Sequence, residues 1–205
     1  LEGLWLALVL LVSLGLRLFD LDVFLAGDEN KWICRSINFR AALCRGDLGA
    51  TCQTEHPGVV TMWLGALAVP LSLAGDWVDL CEESDDAGLT RVHDRAILGR
   101  FPSLIFQARR SVALVTWLGM LGLYWLLKRL FDSRTALLAT AVVGLDPFYL
   151  ALSRVLHLDA LLATFMTLSI VSLLVYGRED RRRRYLIFSA VAGGLAMANK
   201  SPGLF

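Results

Sequence analysis

The chain has 205 residues, of which 56% are apolar and only 19% charged, with a mean hydropathy of +0.58. A soluble domain of this length would expose more polar surface, and a net charge of +1 with no dominant basic face excludes a nucleic-acid footprint. Uncharged runs of 17 residues (Ser111–Leu127), 18 residues (Ala160–Gly177) and 15 residues (Tyr185–Asn199) approach the ~20 that a bilayer-crossing helix needs. The composition therefore describes an all-α, polytopic integral membrane protein.

The first predicted span covers about 4–21, and its apolar run from Leu4 to Phe19 is interrupted only by Arg17. A cleaved signal peptide is the competing reading. The following Leu-Phe-Asp-Leu-Asp segment offers no small-residue cleavage site, so an uncleaved span fits better. The chain begins at Leu1 and stops at Phe205 inside an apolar stretch, which we read as the N-terminal part of a longer protein.

A long connection follows, over 22–107. From Asp20 to Gln107 the chain holds 13 acidic and 7 basic residues and all four cysteines, Cys34, Cys44, Cys52 and Cys81. Early in it, Ile33, Ile37, Ala41 and Cys44 form one helical stripe, with Lys31, Arg35, Asn38 and Arg45 roughly opposite. That pattern predicts an amphipathic helix lying on the membrane, entered through Asp28-Glu29. Pro57–Gly75 is a further run of 19 uncharged residues. If it crossed the bilayer with the N-terminus inside, the later arginine loops would fall outside, against the positive-inside rule. It either lies at the interface or re-enters, or it spans with the N-terminus outside. The first arrangement keeps the cysteines together on an oxidising side, where up to two disulfides with three alternative pairings could staple the loop. We adopt it.

The remaining spans then alternate: 108–130 inward to Lys128 and Arg129, 135–150 outward to Asp146-Pro147, 156–176 inward to Arg178, and 185–205 outward to Lys200. Every short basic loop becomes cytoplasmic. This places Asp28, Glu29, His56, Arg109, Arg110, Arg154, Asp159 and Lys200 on or near the outer side. Ionisable groups at membrane depth are expensive and mark function. Each also has a plainer reading. Asp28 and Glu29 suit a helix N-terminus, His56-Pro57-Gly58 a turn, and Arg109-Arg110 snorkelling to headgroups. Arginine forks equally suit phosphate. Successive helix positions point ~100° apart, so only one of Arg109 and Arg110 can face a cavity. Arg154 and Asp159 flank the mouth between the third and fourth spans. Asn199-Lys200-Ser201 also fits a glycosylation sequon, but within a membrane segment that use is disfavoured.

The ordered motifs Gly27-Asp28-Glu29, His56-Pro57-Gly58, Leu-Asp-Pro-Phe (145–148), Ser-Arg-Val-Leu-His-Leu-Asp (153–159) and Gly-Leu-Ala-Met-Ala-Asn-Lys-Ser-Pro-Gly-Leu-Phe (194–205) resemble the N-terminal membrane half of the protein O-mannosyltransferase superfamily. That superfamily includes the bacterial aminoarabinose transferases. The resemblance implies a GT-C-type helix bundle that moves a sugar from a polyprenyl-phosphate donor to an acceptor hydroxyl on the outer face, inverting the anomeric centre. In a prokaryote that membrane is the plasma membrane. It implies that Asp28, with Glu29 beside it, supplies the catalytic base, and that Arg109 or Arg110 helps hold the donor phosphate. His56 and Lys200 are added to the phosphate set for their charge, with Arg154 and Asp159 in support. The acceptor is expected to be a protein, with a lipid or cell-envelope polysaccharide as the alternative. Membrane lipids are the other expected partners. Related oligosaccharyltransferases use a divalent metal held by acidic ligands, and no diagnostic ligand pattern stands in this sequence. The family usually carries His-Pro-Pro or Lys-Pro-Pro where this chain has His-Pro-Gly. A transporter or scaffold subunit is the remaining alternative; the first should show paired broken helices in two related halves, and the second has no reason to gather these charges on one side.

Overall fold

The computed structural model describes residues 2–23, 26–54, 57–70, 72, 81, 99, 101–179 and 181–204, and among these it is all-helical with no strand. Among the described residues eight α-helices are delimited: α1 (Glu2–Leu18), α2 (Glu29–Arg45), α3 (Val59–Ala68), α4 (Phe101–Leu130), α5 (Ser133–Leu145), α6 (Pro147–Ser153), α7 (Leu158–Arg178) and α8 (Arg183–Asn199). Short 3₁₀ turns cover Gly49–Thr51 and Ser201–Leu204.

Among the described residues two helices, α4 and α7, are long and apolar enough to cross a membrane. The stretch expected as one span over 135–150 breaks into α5 and α6, bent by 61°. The cause is local. Pro147 cannot continue a helix and is suited to its first turn, and the Asp146 carboxylate accepts from the Tyr149 backbone N–H to start α6. At the other end of α5, Asp132 caps through Arg134 and Thr135. Helices α1 and α8 have 17 residues each, roughly 25 Å of helix. At 10 residues, α3 reaches only about 15 Å, half the apolar thickness of a bilayer.

The bundle has two recognisable ends. At one, Arg129 of α4 lies 3.6 Å from Glu179, which also receives Arg184 at 3.8 Å and the Tyr185 hydroxyl at 3.0 Å. Arg178 donates to the Leu130 carbonyl there. This end therefore gathers the C-termini of α4 and α7 and the N-terminus of α8, and it carries the arginine run. The opposite end holds the N-termini of α2, α3 and α7 and the C-termini of α1 and α8.

Helix pairs inside the bundle approach through small and hydroxyl residues, as expected where packing rather than hydrophobicity joins helices. A Cβ on Gly119 of α4 would lie 2.2 Å from a Thr164 carbon on α7. Ser169 and Ser172 of α7 donate to the Ser189 and Tyr185 carbonyls of α8. Trp117 of α4 donates to the Leu10 carbonyl of α1 at 2.9 Å.

Helix α2 begins where the sequence predicts, and Ile33 and Ile37 of its apolar stripe are buried. Its buried face is wider than that stripe, since Trp32, Cys34, Ser36, Phe39 and Ala42 are buried as well. Trp32, Ile33, Cys34, Ile37 and Phe39 form one core with residues of α3, the first turns of α4, and Leu156, Leu158 and Leu161. Instead of lying alone, α2 is a packed element, further fixed by a Cys34–Cys81 disulfide. Cys44 and Cys52 are exposed free thiols.

Candidate active site

Of the expected site residues, Asp28, Glu29, Arg109, Arg110, Arg154, Asp159 and Lys200 lie at the end opposite the arginine run. Glu29 is the first residue of α2 and is wholly buried. Its carboxylate forms a fork with Arg109 of α4: Nε donates to Oε1 at 2.7 Å and Nη2 to Oε2 at 2.6 Å. The same carboxylate accepts from the backbone N–H of Leu156 at 2.9 Å and of Ala26 at 3.2 Å. Arg109, 4% exposed, uses Nη1 to hold the Leu21 and Val23 carbonyls at 2.7 and 2.9 Å. A buried pair of this kind is tolerable only when its remaining lone pairs and protons are satisfied, and here backbone groups satisfy them.

Asp28, one residue earlier, has a different environment. Its side chain is 71% exposed, it makes no capping hydrogen bond to α2, and Lys31 lies 3.8 Å away. Of two adjacent carboxylates, one is enclosed in protein and the other faces solvent. The two neighbouring arginines divide the same way, because Arg109 is buried in the fork while Arg110 is exposed.

A second cluster is built by α7 and α8. Lys200 Nζ lies 2.7 Å from Asp159 Oδ1, and His157 Nδ1 is 3.3 Å from Asp159 Oδ2. All three side chains are partly exposed. Asn199 sets Lys200 in place by donating to the Leu158 carbonyl at 2.7 Å and accepting from Thr61 of α3 at 2.8 Å. The Gly58 N–H donates to the Ala198 carbonyl, so the start of α3 is tied to the end of α8. Gly58 has φ +153°, and a Cβ there would lie 2.4 Å from the Trp32 ring. Proline, fixed near φ −65°, could not adopt this backbone, which accounts physically for His-Pro-Gly in place of a second proline. His56 itself lies outside the described residues.

The two clusters are joined through the backbone. Leu156, which donates to Glu29, is one residue from His157, and Leu158 packs beside the Gly58–Trp32 contact. Arg154 donates to the Phe19 and Asp20 carbonyls after α1, so the turn before α7 also anchors the end of the first helix. Among the described residues no three His, Cys, Asp or Glu side chains gather as a metal set.

Sequence reasoning passed over two residues at this end. Arg17 registers in the sequence only as an interruption of an apolar run, yet it is completely buried and lies over the Tyr149 ring, 5.3 Å from its centroid. Tyr149 in turn hydrogen-bonds Thr164 at 2.7 Å. A charge inside an otherwise apolar span was the available signal.

No curated protein and no solved structure matches the chain. A family model, dolichyl-phosphate-mannose-protein mannosyltransferase, matches residues 98–205. The match takes in Arg109, Arg110, Arg154, Asp159 and Lys200 and leaves Asp28, Glu29 and His56 outside it. It covers more than half of the chain, and it agrees with an all-helical bundle whose α4 and α7 suit a bilayer. The chain belongs to the dolichyl-phosphate-mannose-protein mannosyltransferase family and is a membrane glycosyltransferase of the mannosyltransferase kind.

Proposed function

We propose that this membrane bundle transfers mannose from a polyprenyl-phosphate donor to a hydroxyl of a protein acceptor, with Asp28 as general base and with inversion. The five expected spans, the outer loop over 22–107 and an extracytoplasmic site belong to the same proposal. It is carried by the separation of the acidic pair: Glu29 is committed to Arg109 and two backbone N–H groups, whereas the Asp28 carboxylate stands in solvent beside them.

The chemistry follows from the leaving group. A polyprenyl phosphate departs without protonation, so the donor side needs positive charge to stabilise the phosphate as the glycosidic bond breaks. Arg110 and Lys200 are exposed or partly exposed cations suited to this, and His56 is kept in the phosphate set for its charge alone. Asp159 and His157 hold the Lys200 ammonium in position. The acceptor hydroxyl needs a base within hydrogen-bond reach, a contribution of ~10²–10⁴ in rate. Asp28 takes that proton while the hydroxyl oxygen attacks the anomeric carbon from the face opposite the phosphate. In this scheme Glu29 and Arg109 act one step back. They fix the backbone around Asp28, and Arg154 and Asp159 fix the opposing turn.

Asp28→Asn in the full-length enzyme tests the assignment. Transfer to an acceptor peptide should fall by at least 10² while the variant inserts, melts normally and still binds donor. Near-normal turnover would remove Asp28 as the base.

A further inference from the structure

A groove of about 300 Å³ opens between α4 and α8, with α7 as its floor. Each wall belongs to a single helical stripe. On α4, Leu118, Gly122, Trp125 and Arg129 follow one another at steps of four, three and four residues. On α8, Arg184, Phe188, Val191 and Leu195 do the same. Residues at these steps share one face of a helix. The apolar members of both stripes line the groove, together with Phe165 and Leu168 of α7, and among the described residues no charged group lines it. Leu118, Phe188 and Val191 are exposed, so the groove faces outward from the bundle.

Both stripes reach a cation at the same place. The Arg129 and Arg184 guanidiniums lie 5.4 and 6.0 Å from the centroid of the Trp125 ring, and that ring meets Tyr185 of α8 at 5.5 Å. The walls therefore come together at the arginine end, through an aromatic contact that carries two cations. One carboxylate, Glu179, serves Arg129, Arg182 and Arg184 at 3.6, 4.0 and 3.8 Å. A single negative charge against three positive ones leaves this end of the groove cationic. Residues 128–134 and 178–184 together hold eight Lys and Arg against three Asp and Glu. Membrane orientation calls for positive loops on one side, but not for their convergence on the end of an apolar groove.

We propose that this groove binds an anionic glycerophospholipid, its phosphate between Arg129 and Arg184 and an acyl chain along the walls below them. Length and charge both select this occupant. From Arg184 to Leu195 the helix rises roughly 16 Å, the apolar depth of one leaflet of a bilayer about 30 Å thick. Trp125 stands at the junction of charge and chain, where aromatic residues collect in membranes. An apolar helix packed in the same groove would leave the cations without an anion. The site lies at the end of the bundle away from Asp28, so it does not depend on the transfer chemistry. On the topology proposed above its leaflet is the cytoplasmic one, where anionic lipids concentrate.

Native mass spectrometry of the full-length protein, titrated in neutral detergent with dioleoylphosphatidylglycerol or dioleoylphosphatidylcholine, reads the lipid retained. A cation at the headgroup level contributes about fivefold, so a surplus of two should favour phosphatidylglycerol by about 25-fold. Arg129→Gln and Arg184→Gln, both at exposed positions, should each weaken phosphatidylglycerol about fivefold and leave phosphatidylcholine unchanged. Glu179→Gln should tighten phosphatidylglycerol by about the same factor, a gain that a purely structural ion pair would not produce. Val191→Trp fills the groove from an exposed position and should weaken both lipids alike. Equal retention of the two lipids, or a loss in Glu179→Gln, would overturn the anionic site. Unchanged binding in Val191→Trp would overturn the groove as the seat of the chain. Displacement of phosphatidylglycerol by farnesyl phosphate at equal or greater potency would overturn the glycerophospholipid assignment.

Discussion

Cutting the Glu29–Arg109 fork from one side should be among the most damaging single changes available to this bundle. Among the described residues Arg109 makes four hydrogen bonds of 2.6–2.9 Å, two to the carboxylate and two to the Leu21 and Val23 carbonyls. Arg109→Met removes all four and leaves a buried carboxylate with only two backbone donors. Stranding one member of a buried pair costs about 3–5 kcal/mol. For a chain of this size that is a fall of roughly 6–20 °C in Tm. Glu29→Gln should cost a similar amount, because it strands the guanidinium instead. The double variant should recover a large share, since neither charge is then left alone, and the cycle should return a coupling energy of at least ~2 kcal/mol. Thermal melts of the purified protein in one detergent give all four corners. Single losses below ~1 kcal/mol, or a double loss equal to the sum of the singles, would refute the view that the pair works as a unit.

Gly58→Ala should destabilise by about 1–3 kcal/mol, because the new Cβ meets the Trp32 ring at 2.4 Å and φ is +153°; Trp32→Leu should relieve the steric part, and additive losses would refute the contact. Peptide mapping of alkylated, unreduced protein should recover Cys34 joined to Cys81 and label Cys44 and Cys52. Closing 47 residues of chain corresponds to about 4 kcal/mol in the loop-entropy picture, so reduction should lower Tm, and a Cys44–Cys52 crosslink would contradict the structure.

The helical, membrane character of the chain is legible because it depends on runs of one residue class, which composition and charge order report directly. The break at Asp146-Pro147 has an equally local cause, although the apolar run over 135–150 reads as one uninterrupted span. The candidate site is legible to the level of its neighbourhood. Asp28-Glu29, Arg109-Arg110 and Lys200 stand out as charges bordering apolar runs, and the ~100° rule separates Arg109 from Arg110 into one buried and one exposed residue. Which carboxylate is enclosed is not a local property. It is decided by partners 80 and 127 residues away in sequence, at Arg109 and at the Leu156 backbone N–H. Nothing in Gly-Asp-Glu encodes those partners. The packing of α2 was obscured for a related reason, since the stripe from Ile33 to Cys44 omits Trp32, Ser36 and Phe39, whose burial comes from where α3 and α4 lie.

The Glu29 carboxylate also sets an order on biosynthesis. Its two donors from later in the chain, Arg109 and Leu156, must both be made and placed before the carboxylate is satisfied. At ~5–20 residues per second, the 127 residues separating Glu29 from Leu156 take roughly 6–25 s to emerge. Through that interval the start of α2 carries an acid whose final surroundings do not yet exist, and water must continue to solvate it. The start of α2 therefore closes late, on residues made after it, and a ribosome stalled before residue 156 would hold a chain in which the surroundings of Glu29 have not assembled.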